Sequence, residues 1–313
     1  MINNYKKTNP LLSITIPTWN RGLNLNEALS YLLPQLGVHG DDIELIISDN
    51  ASQDNTREIV ESQFKMFPDI YGRLITQNEN TGFYGNFHNC ISQGKGKYLW
   101  LLSDDDYVLN GTIDLIMEAI KQNQVGAIFL NNWRNRKQHA LRLEEVNKVQ
   151  FFNDGLYRHS LISTIIYSNR INGDDDVFKE LKGNALIGYA VFLKAVNNYD
   201  RFAIIRGKSL ITSSSKEVRF NALGIFTYDL SKCIELAYLF YPKKLVSKIA
   251  NSFIFSLISS HYRNYKFNNK YIYESNNSFK IFSFYLKYIN FWKYIFPFIL
   301  MPKICYKLIR KIF

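Results

Sequence analysis

The stretch Lys97–Tyr107, KYLWLLSDDDY, passes from large apolar residues directly to three consecutive carboxylates. A short apolar run bounded by polar residues predicts a buried strand over Tyr98–Leu102. The carboxylates that follow, Asp104 to Asp106, would repel one another unless a positive charge lies among them. Two interpretations are open. The acids hold a divalent cation together with substrate phosphates, or they form an acidic turn that caps a helix predicted over Ile113–Lys121.

The hundred residues before this stretch alternate between predicted strands and predicted helices. Strands are predicted over Leu11–Pro17, Ile43–Ser48 and Arg73–Thr76, and helices over Leu23–Gln35, Thr56–Phe64 and Phe87–Gln93, the last after a Gly/Asn loop at Asn78–Asn86. This alternation predicts an α/β protein with a parallel sheet. Ligands of such sheets bind beyond the carboxyl ends of the strands, which is where the polar clusters of this sequence lie.

Four motifs follow one another in this region: ITIPTWNR at 14–21, IISDNASQDNT at 46–56, NENTGFYGN at 78–86 and YLWLLSDDD at 98–106. In this order and spacing they resemble the nucleotide-binding half of family 2 glycosyltransferases with the GT-A fold. The similarity covers roughly Leu11–Lys121. It is greatest to bacterial enzymes that build surface polysaccharides, including the abequosyltransferase-like group of O-antigen transferases.

The resemblance implies a Rossmann-like, mostly parallel sheet flanked by helices. We expect a GT-A domain over residues 1–240, with a nucleotide-sugar-binding half at 1–121 and an acceptor half at 122–240. Residues 241–313 are expected to form a helical, basic and aromatic region that associates with a membrane.

A nucleoside pocket is expected at the ends of the first two strands. A carboxylate at the position of Asp49 can accept a hydrogen bond from a ribose hydroxyl. By resemblance, the pocket and the nearby donor loop consist of Pro17, Thr18, Asn20, Asp49, Asn50 and Ser52, together with Asn80, Gly82 and Asn86. Two structural alternatives are open: Asp54 caps the following helix, and the Asn/Gly loop is a turn with glycine at positive φ.

The acid cluster departs from the common family pattern, Leu-Asp-x-Asp-Asp, because Ser103 occupies the place of the first acid. The alignment favours Asp105 as the principal metal ligand. Asp106 is then the second ligand, and Asp104 supports the metal and the nucleotide-sugar. A register that uses Asp104 and Asp106 is the alternative. The resemblance implies Mn²⁺ or Mg²⁺, which would neutralise charge on the diphosphate leaving group.

The catalytic base is not where the family pattern would place it. The family has a Glu-Asp motif near the start of a later helix, but the best local match here has Ile187 and Gly188 at those places. A general base must reach the acceptor hydroxyl. The first candidates for this base are Asp174, Asp175 and Asp176, of which we favour Asp176. The alternative is a solvated loop at a helix N-terminus. His159 is a further candidate, or an ordinary polar residue before a strand.

The remaining elements of this half are less clearly marked. Strands are predicted over Gly126–Asn131 and Leu161–Ser168, with a polar, charged insertion over Trp133–Lys148 between them.

Positive charge is concentrated toward the C-terminus. Residues 1–150 carry 14 Lys/Arg and 17 Asp/Glu, whereas residues 151–313 carry 24 and 10. In Phe279–Phe296 the polar residues recur at helical spacing, which predicts one helix with a narrow polar stripe and a broad aromatic face. Such a helix is typical of the membrane interface, and no apolar run here is long enough to span a bilayer. The alternatives are a core helix, a dimer interface or a nucleic-acid surface, and the last is disfavoured because no RNA-binding signature appears.

The cellular compartment follows from cysteine usage and from the first residues. Cys90, Cys233 and Cys305 lie far apart without a metal-binding spacing, and Met1–Pro10 is polar. This pattern predicts a cytoplasmic protein, peripheral on the inner face of the bacterial inner membrane.

The resemblance and the basic C-terminus together imply an inverting, metal-dependent transfer of a sugar. The donor would be a nucleotide-sugar and the acceptor a polyprenyl-diphosphate-linked oligosaccharide. Two other functions are open: a catalytically inactive membrane scaffold with this fold, and a nucleotidyltransferase. The latter usually has a Gly-rich basic loop after the first strand, where this chain has only Arg21 and Gly22.

Overall fold

The structure is a computed structural model that describes residues 9–131, 140–171, 175–212, 224–268 and 282–301. The chain divides into two compact units. The first comprises residues 1–183 and 187–215, and the second comprises residues 184–186 and 216–313.

The first unit is built on a twisted β-structure. Its strands are β1 (Leu12–Thr18), β2 (Ile43–Asp49), β3 (Gly72–Thr76), β4 (Tyr98–Leu101), β5 (Asp106–Val108), β6 (Ala127–Asn131), β7 (Arg142–Asn147), β8 (Ile165–Ser168), β9 (Arg201–Arg206) and β10 (Leu210–Thr212). Eight of them form one sheet in the order β3-β2-β1-β4-β8-β6-β9-β7, and β5 pairs with β10 in a separate antiparallel ribbon. Within the sheet, β3, β2, β1 and β4 are parallel, as are β6 and β9, whereas β8 and β7 run antiparallel to their neighbours.

Helices connect these strands. They are α1 (Gly22–Leu32), α2 (Thr56–Met66), α3 (Gly82–Gln93), α4 (Thr112–Asn123), α5 (Lys148–Gly155), α6 (Asp176–Glu180) and α7 (Ile187–Ala195). Alternate residues of β1, Leu12, Ile14 and Ile16, are fully buried in one apolar cluster that also contains Leu25 and Leu29 of α1. Burial of such side chains provides the main driving force for this packing. The predicted α/β architecture with a mostly parallel sheet is therefore confirmed.

Three elements differ most from the sequence predictions. Helix α3 begins at Gly82, within the stretch Asn78–Asn86 that was predicted as a loop. The strand predicted over Leu161–Ser168 is shorter, because 3₁₀ turns occupy its first residues. The insertion predicted over Trp133–Lys148 contains β7, which lies at the edge of the sheet; residues 132–139 lie outside the described part. Charged residues are common on edge strands, since they discourage further pairing.

The amino ends of β1 and β2 enclose a buried carboxylate, Glu44, which is 1% exposed. It accepts hydrogen bonds from the Ser13 hydroxyl and from the Lys95 N–H, the latter at 2.6 Å, and Arg73 Nη2 lies 3.2 Å away. The Ser13 hydroxyl in turn accepts the Gly96 N–H at 2.6 Å. A Cβ at Gly96 would lie 2.5 Å from the Ser13 nitrogen, so this close approach requires glycine. The network therefore fixes the loop that leads into β4.

His159 lies in an aromatic cage and is 2% exposed. Its ring stacks on Phe151 at a centroid distance of 4.5 Å and meets the edge of Phe129 at 4.7 Å. Within the described part of the chain, neither ring nitrogen has a hydrogen-bond partner. Burial, together with Arg158, lowers the pKa of His159 to about 3, so the ring is neutral at physiological pH. A side chain enclosed in this way is not available as a base.

The second unit is helical. It contains α8 (Leu230–Phe240), α9 (Lys243–Phe253), α10 (Ser259–Asn268), α11 (Ile289–Tyr294) and α12 (Phe296–Leu300), with π-helical turns at Ile225–Asp229 and Ile254–Ile258 and a 3₁₀ turn at Ser283–Lys287. Asn290 ties the last segments to α9, since its amide donates to the Asn251 carbonyl at 2.9 Å.

The C-terminal segment is helical, but the prediction of one continuous helix over Phe279–Phe296 is wrong. Residues 279–281 lie outside the described part, and the backbone is extended at Tyr288. The side chains at Phe282, Tyr285, Tyr288, Phe291 and Ile295 are all buried. Much of the aromatic face thus packs inside the second unit. Across the described ranges, no helix combines the length and apolar character that a bilayer span requires.

Candidate functional site

The carboxyl ends of β1, β2 and β4 bring three loops of the first unit together. The strands are parallel neighbours, with Thr18 paired to Asp49 and Thr15 to Leu101. Because parallel strands end at the same edge of a sheet, the segments after them share one surface. This surface is the strand-end site, and it contains most of the residues that the sequence singles out.

Two carboxylates at the end of β4 converge on one arginine. Arg21 Nη1 lies 2.7 Å from Asp104 Oδ1, and Arg21 Nη2 lies 2.6 Å from Asp105 Oδ2. The Thr18 hydroxyl also donates to Asp104, at 2.9 Å, and the Ser103 hydroxyl donates to Asp105, at 2.5 Å. The two carboxylates therefore face the same point in space, and a cation already occupies it.

Burial changes the acidity of this cluster. Burial raises the pKa of Asp104 to about 6, although Arg21 and the Thr18 hydroxyl act in the opposite direction. For Arg21, burial acts to lower the pKa, but the neighbouring Asp104 and Asp105 outweigh it and the pKa is raised. Arg21 thus stays charged, and its charge favours the ionised form of the buried Asp104.

The third acid, Asp106, begins β5 and pairs with Thr212 of β10. It is 9% exposed. All three acids lie at least six residues before helix α4, which begins at Thr112 after a left-handed Gly111. The alternative in which the acids cap this helix is therefore wrong.

The first two strand-end loops are joined to each other. The Asn20 N–H donates to the Ser52 hydroxyl at 2.8 Å, and Asn20 Oδ1 accepts the Gln53 N–H at 2.7 Å. Asp49 Oδ1 accepts the Ser52 N–H at 3.1 Å. Asn20 and Ala51 have left-handed backbone, with φ of 51° and 60°, a conformation that costs energy for any residue other than glycine. These mutual hydrogen bonds hold the strained turns in place.

Asn50 links the second loop to the Asn/Gly loop. Its amide nitrogen donates to Asn80 Oδ1 at 2.9 Å, and its amide oxygen accepts the Thr81 N–H at 2.9 Å. Asn80 also accepts the Gly82 N–H, and Gly82 has a φ of +72°. The expectation of a turn with glycine at positive φ is confirmed, and this turn starts helix α3.

Asn86 is buried, and its amide is used entirely within the protein. The nitrogen donates to the carbonyls of Thr18 and Ser48, at 3.3 and 3.2 Å. The oxygen accepts from the Ser48 hydroxyl at 2.6 Å and from Gln77 at 2.8 Å. Both donor hydrogens and both lone pairs are therefore occupied, so Asn86 holds the ends of β1 and β2 together rather than facing a ligand directly.

Asp54 organises the start of two helices. Its carboxylate accepts the Thr56 N–H at 3.1 Å, at the start of α2, and the Gly22 N–H at 3.0 Å, at the start of α1. Burial would raise the pKa of Asp54, but the hydrogen bonds from Thr56 and Gly22 outweigh it and the pKa is lowered. Asp54 thus satisfies free N–H groups at both helix starts, as the capping alternative supposed, although the N-cap residue of α2 itself is Asn55.

Two residues of the PTWNR motif take part in the site although the sequence analysis did not select them. Arg21 enters the sequence argument only as one of two residues, with Gly22, in the loop after the first strand, and its partners are more than 80 positions away. Trp19 follows Pro17 and Thr18 directly, and it is 49% exposed. An exposed indole beside a predicted nucleoside pocket is a signal that could have been used, because aromatic faces stack on bases.

The comparisons with known proteins agree with this geometry. The family model described as glycosyl transferase family 2 matches residues 13–178, which is more than half of the chain. The chain belongs to glycosyl transferase family 2.

Among curated members of the family, the glucosyltransferase of Campylobacter jejuni named GalNAc(5)-diNAcBac-PP-undecaprenol beta-1,3-glucosyltransferase is 32% identical over 154 residues. That match covers 49% of this chain and 46% of the relative. The abequosyltransferase RfbV of Salmonella typhimurium is 30% identical over 162 residues, covering 49% and 47%. The matches thus span about half the length of these relatives.

Solved structures share the fold. TarS residues 1–349 of S. aureus in complex with UDP-GlcNAc aligns with a TM-score of 0.60 at 16% identity, covering 82% of this chain and 75% of that one. The mannosyltransferase PcManGT from Pyrobaculum calidifontis, in complex with GDP-Man and Mn²⁺, aligns with a TM-score of 0.52 at 15% identity, covering 80% and 71%. The first unit therefore has the GT-A fold.

The strand-end site fits a divalent cation. Carboxylate oxygens are the ligands that Mg²⁺ prefers, and usually only one or two carboxylates join the substrate phosphates around it. Asp104 and Asp105 already share one cation, Arg21. In the part of the chain that the structure describes, no group of three or more His, Cys, Asp or Glu is arranged to hold a metal by itself. A metal here would therefore need the phosphates of the donor as further ligands.

The predicted base candidates occupy the region of α6. Asp175 accepts the Val177 N–H at 2.9 Å and pairs with Lys194 at 2.5 Å. Burial acts to raise the pKa of Asp175, but the hydrogen bonds from Lys194 and the Val177 N–H, together with the charges of Lys194 and Lys179, outweigh it and the pKa is lowered. Asp175 thus acts as a helix cap. Asp176 is exposed and pairs with Lys179 at 3.0 Å, whereas Asp174 lies outside the described residues.

The positions where the family has its Glu-Asp motif, Ile187 and Gly188, are buried in the first turn of α7. The second unit contains a carboxylate that the sequence analysis missed. Asp229 Oδ2 accepts the Ala185 N–H at 3.1 Å, two residues before α7 in the chain. Burial raises the pKa of Asp229 despite this hydrogen bond.

Proposed function

We propose that the protein transfers a sugar from a nucleotide-sugar to a lipid-linked oligosaccharide during the synthesis of a bacterial surface polysaccharide. The observation that carries this proposal is the convergence of Asp104 and Asp105 on one cation beside the loops of β1 and β2. Family membership supports it, and so do the names of the curated relatives, since one is a glucosyltransferase named for an undecaprenol-linked glycan and the other is an abequosyltransferase.

The donor binds at the strand-end site. Pro17, Thr18 and Asp49 face the nucleoside, with Asn20 and Ser52 holding the loops in the required shape. Trp19 offers an exposed aromatic face to the base. The loop beside the donor sugar is positioned by Asn50, Asn80 and Gly82. Asn86 supports this loop indirectly by holding the ends of β1 and β2 together.

Asp105 is the principal ligand of a divalent cation, Mn²⁺ or Mg²⁺, with Asp106 and Asp104 supporting it. When bound, such a cation neutralises the negative charge of a departing nucleoside diphosphate. Thr18 and Ser103 orient the carboxylates through the hydrogen bonds described above. The carboxylate oxygens of Asp104 and Asp105 are thereby oriented before the donor binds.

The acceptor hydroxyl must lose a proton to a carboxylate, as an inverting transfer requires. Asp176 remains the candidate from the sequence, with Asp175 and Asp174 beside it. Replacing each candidate aspartate by Asn, one at a time, distinguishes these residues. The variant that loses turnover but still binds the donor identifies the base.

Residues 1–240 would form the transferase domain and residues 241–313 a region that holds the protein on the anionic cytoplasmic face of the membrane. From Lys243 onward the sequence has 13 basic residues and one acid. In the described part of this region, Ile289 is 71% and Trp292 is 45% exposed. Each basic residue near an anionic leaflet contributes about 1 kcal/mol to membrane binding.

Flotation with vesicles tests this attachment. The full chain is expected to float with phosphatidylglycerol vesicles more than with phosphatidylcholine vesicles. Ile289→Glu with Trp292→Glu should reduce flotation, whereas Val38→Glu, at an exposed apolar residue of the first unit, should not. Equal flotation of all three proteins would contradict the proposal and leave an oligomer interface as the use of this surface.

A donor screen tests the transferase proposal itself. UDP-, GDP-, CDP- and dTDP-sugars are offered with Mn²⁺ or Mg²⁺ and a polyprenyl-diphosphate-linked oligosaccharide, and nucleotide release is measured. One donor should be turned over, and Asp105→Ala should reduce the rate by about a thousandfold or more. Asp114→Ala, at an exposed carboxylate that contacts His39, is the matched control and should keep the rate.

Two results would contradict the proposal. Nucleotide binding without turnover for any donor would favour a scaffold, and the absence of nucleotide binding would exclude a donor site.

A further inference from the structure

Arg21 is the cation that the two carboxylates of the strand-end site share. Its guanidinium contacts Asp104 with one nitrogen and Asp105 with the other, at 2.7 and 2.6 Å. This two-point arrangement matches the planar fork of arginine, and it is stronger than a single-point pair. Asp104 is 5% exposed at its side chain, so the pair is screened only partly by water.

A divalent cation and Arg21 cannot use this position together. Both would take the oxygens of Asp104 and Asp105 that point toward the present guanidinium, and two positive charges at such a distance repel strongly. A metal can therefore enter only when the Arg21 side chain leaves.

The backbone and side chain of Arg21 differ in how firmly they are held. The next residue, Gly22, donates its N–H to Asp54 at 3.0 Å, and Asp54 also binds Thr56 at the start of α2. The backbone at the start of α1 is thus anchored. The Arg21 side chain is long, 26% exposed, and able to change rotamer without moving that backbone.

We propose that Arg21 is an internal counter-cation that keeps Asp104 and Asp105 together in the donor-free protein and is displaced by the incoming metal. The displaced guanidinium, tethered to the loop after β1, then pairs with the diphosphate of the donor. The inference rests on the proposed metal-dependent function. It makes Arg21 a positioning residue that couples metal binding to donor binding.

The coupling has a direction that can be measured without turnover. Because Arg21 competes with the metal, the donor-free protein should bind Mn²⁺ weakly. Removing the positive charge should leave two carboxylates that repel each other and attract a cation. In Arg21→Gln we expect Mn²⁺ to bind about tenfold more tightly, within the usual range for coupled ligands.

The experiment titrates each protein with MnCl₂ alone and follows free Mn²⁺ by electron paramagnetic resonance. Wild type, Arg21→Gln, Arg21→Lys and Arg57→Gln are compared. Arg57 is the matched control, since it forms an exposed pair with Glu61 in the same unit. Its replacement should leave Mn²⁺ affinity unchanged. Arg21→Lys keeps the charge without the two-point geometry, so its affinity should lie between those of wild type and Arg21→Gln.

Circular dichroism shows first that each variant is folded. If Arg21→Gln is unfolded, Arg21→Lys carries the test, and Mn²⁺ affinity above wild type still supports the proposal. Measurable Mn²⁺ binding that is equal in wild type and the folded Arg21 variant overturns the role of Arg21 but keeps the metal site. Absence of Mn²⁺ binding in every folded protein, Arg21→Gln included, overturns the inference that Arg21 keeps the metal out, whereas the metal dependence of the proposed function is decided by the donor screen.

Discussion

The two ends of strand β1 each lie beside a buried carboxylate and an arginine, but the two carboxylates are held differently. At the amino end, Glu44 is fixed by the Ser13 hydroxyl, a backbone N–H and Arg73. At the carboxyl end, Asp104 depends on the Thr18 hydroxyl and on a long arginine side chain. Two carboxylates that are equally buried can thus differ in how firmly their partners hold them, and burial alone does not distinguish them.

The largest effect is expected at the amino end. Glu44→Ala leaves Arg73 and the Lys95 N–H without their buried partner, and the free energy of unfolding should fall by about 3–5 kcal/mol. Urea denaturation measures this loss. Glu61→Ala, at an exposed ion pair with Arg57, should change stability by less than about 1 kcal/mol. A loss of similar small size at Glu44 would remove the distinction between the two ends.

His159 extends the comparison to a buried group without a hydrogen-bond partner in the described residues. Its pKa is lowered to about 3 in the folded state, whereas the unfolded value is 6.5. The unfolded chain therefore binds the extra proton first, and stability should fall by about 2 kcal/mol between pH 7 and pH 5.

His159→Leu should abolish this part of the pH dependence. Urea denaturation of both proteins across that range measures the difference in slope, which is independent of any change in stability at pH 7. Equal slopes would show that His159 titrates normally in the folded protein.

The exposed indole of Trp19 tests whether the carboxyl end of β1 binds a nucleotide. Stacking of a base on an aromatic side chain contributes about 1–3 kcal/mol, so Trp19→Ala should weaken nucleotide binding by about tenfold. Isothermal titration with the nucleotide found in the donor screen gives the affinity. Trp292→Ala, at an exposed tryptophan of the second unit, is the control and should bind as wild type does. Unchanged affinity in the Trp19 variant would place the base elsewhere.

The smallest change in the free energy of unfolding is expected for Asp104→Asn. This variant should be stabilised, whereas the Glu44 variant should be destabilised. The pKa of Asp104 is raised from 3.8 to about 6, so the folded state binds a proton more tightly than the unfolded state. Stability contributed by the protonated form is complete below pH 4 and is lost as the pH rises through 6. In the absence of metal, the Asn variant should therefore be more stable at pH 7, by about 1 kcal/mol or more.

Thermal unfolding at pH 4 and pH 7 checks this prediction. The gain should appear only at the higher pH. A loss at pH 7 as large as that of the Glu44 variant would mean that Asp104 supports the fold in the same way.

The strand-end site was largely predictable, because parallel strands place their following loops at one edge and local motifs mark those loops. Asp49, Asn50 and Asp104 are found together for this reason. The contact between Arg21 and the acids was not predictable, since it joins side chains 83 and 84 positions apart that no local periodicity relates.

The prediction of one continuous helix over Phe279–Phe296 failed because a local pattern was present but did not determine the structure. The polar residues of this segment recur every three or four positions, which fits a continuous helix. The same spacing also fits several short helical turns in succession, each of which buries one side chain. The extended backbone at Tyr288 interrupts the helix, and burial of Tyr285 and Phe291 on either side overrides the local pattern.

The position of β8 has a consequence for synthesis of the chain on the ribosome. Strand β4, which leads to the acids, pairs on one side with β1 but on the other with Ile165–Ser168, which are translated much later. Until then the edge of β4 remains open, and an open edge can pair with another nascent chain. The sheet around β4 is therefore completed only after residues 165–168 have emerged, which makes β1 to β4 and β8 parts of a single folding unit rather than of successive ones.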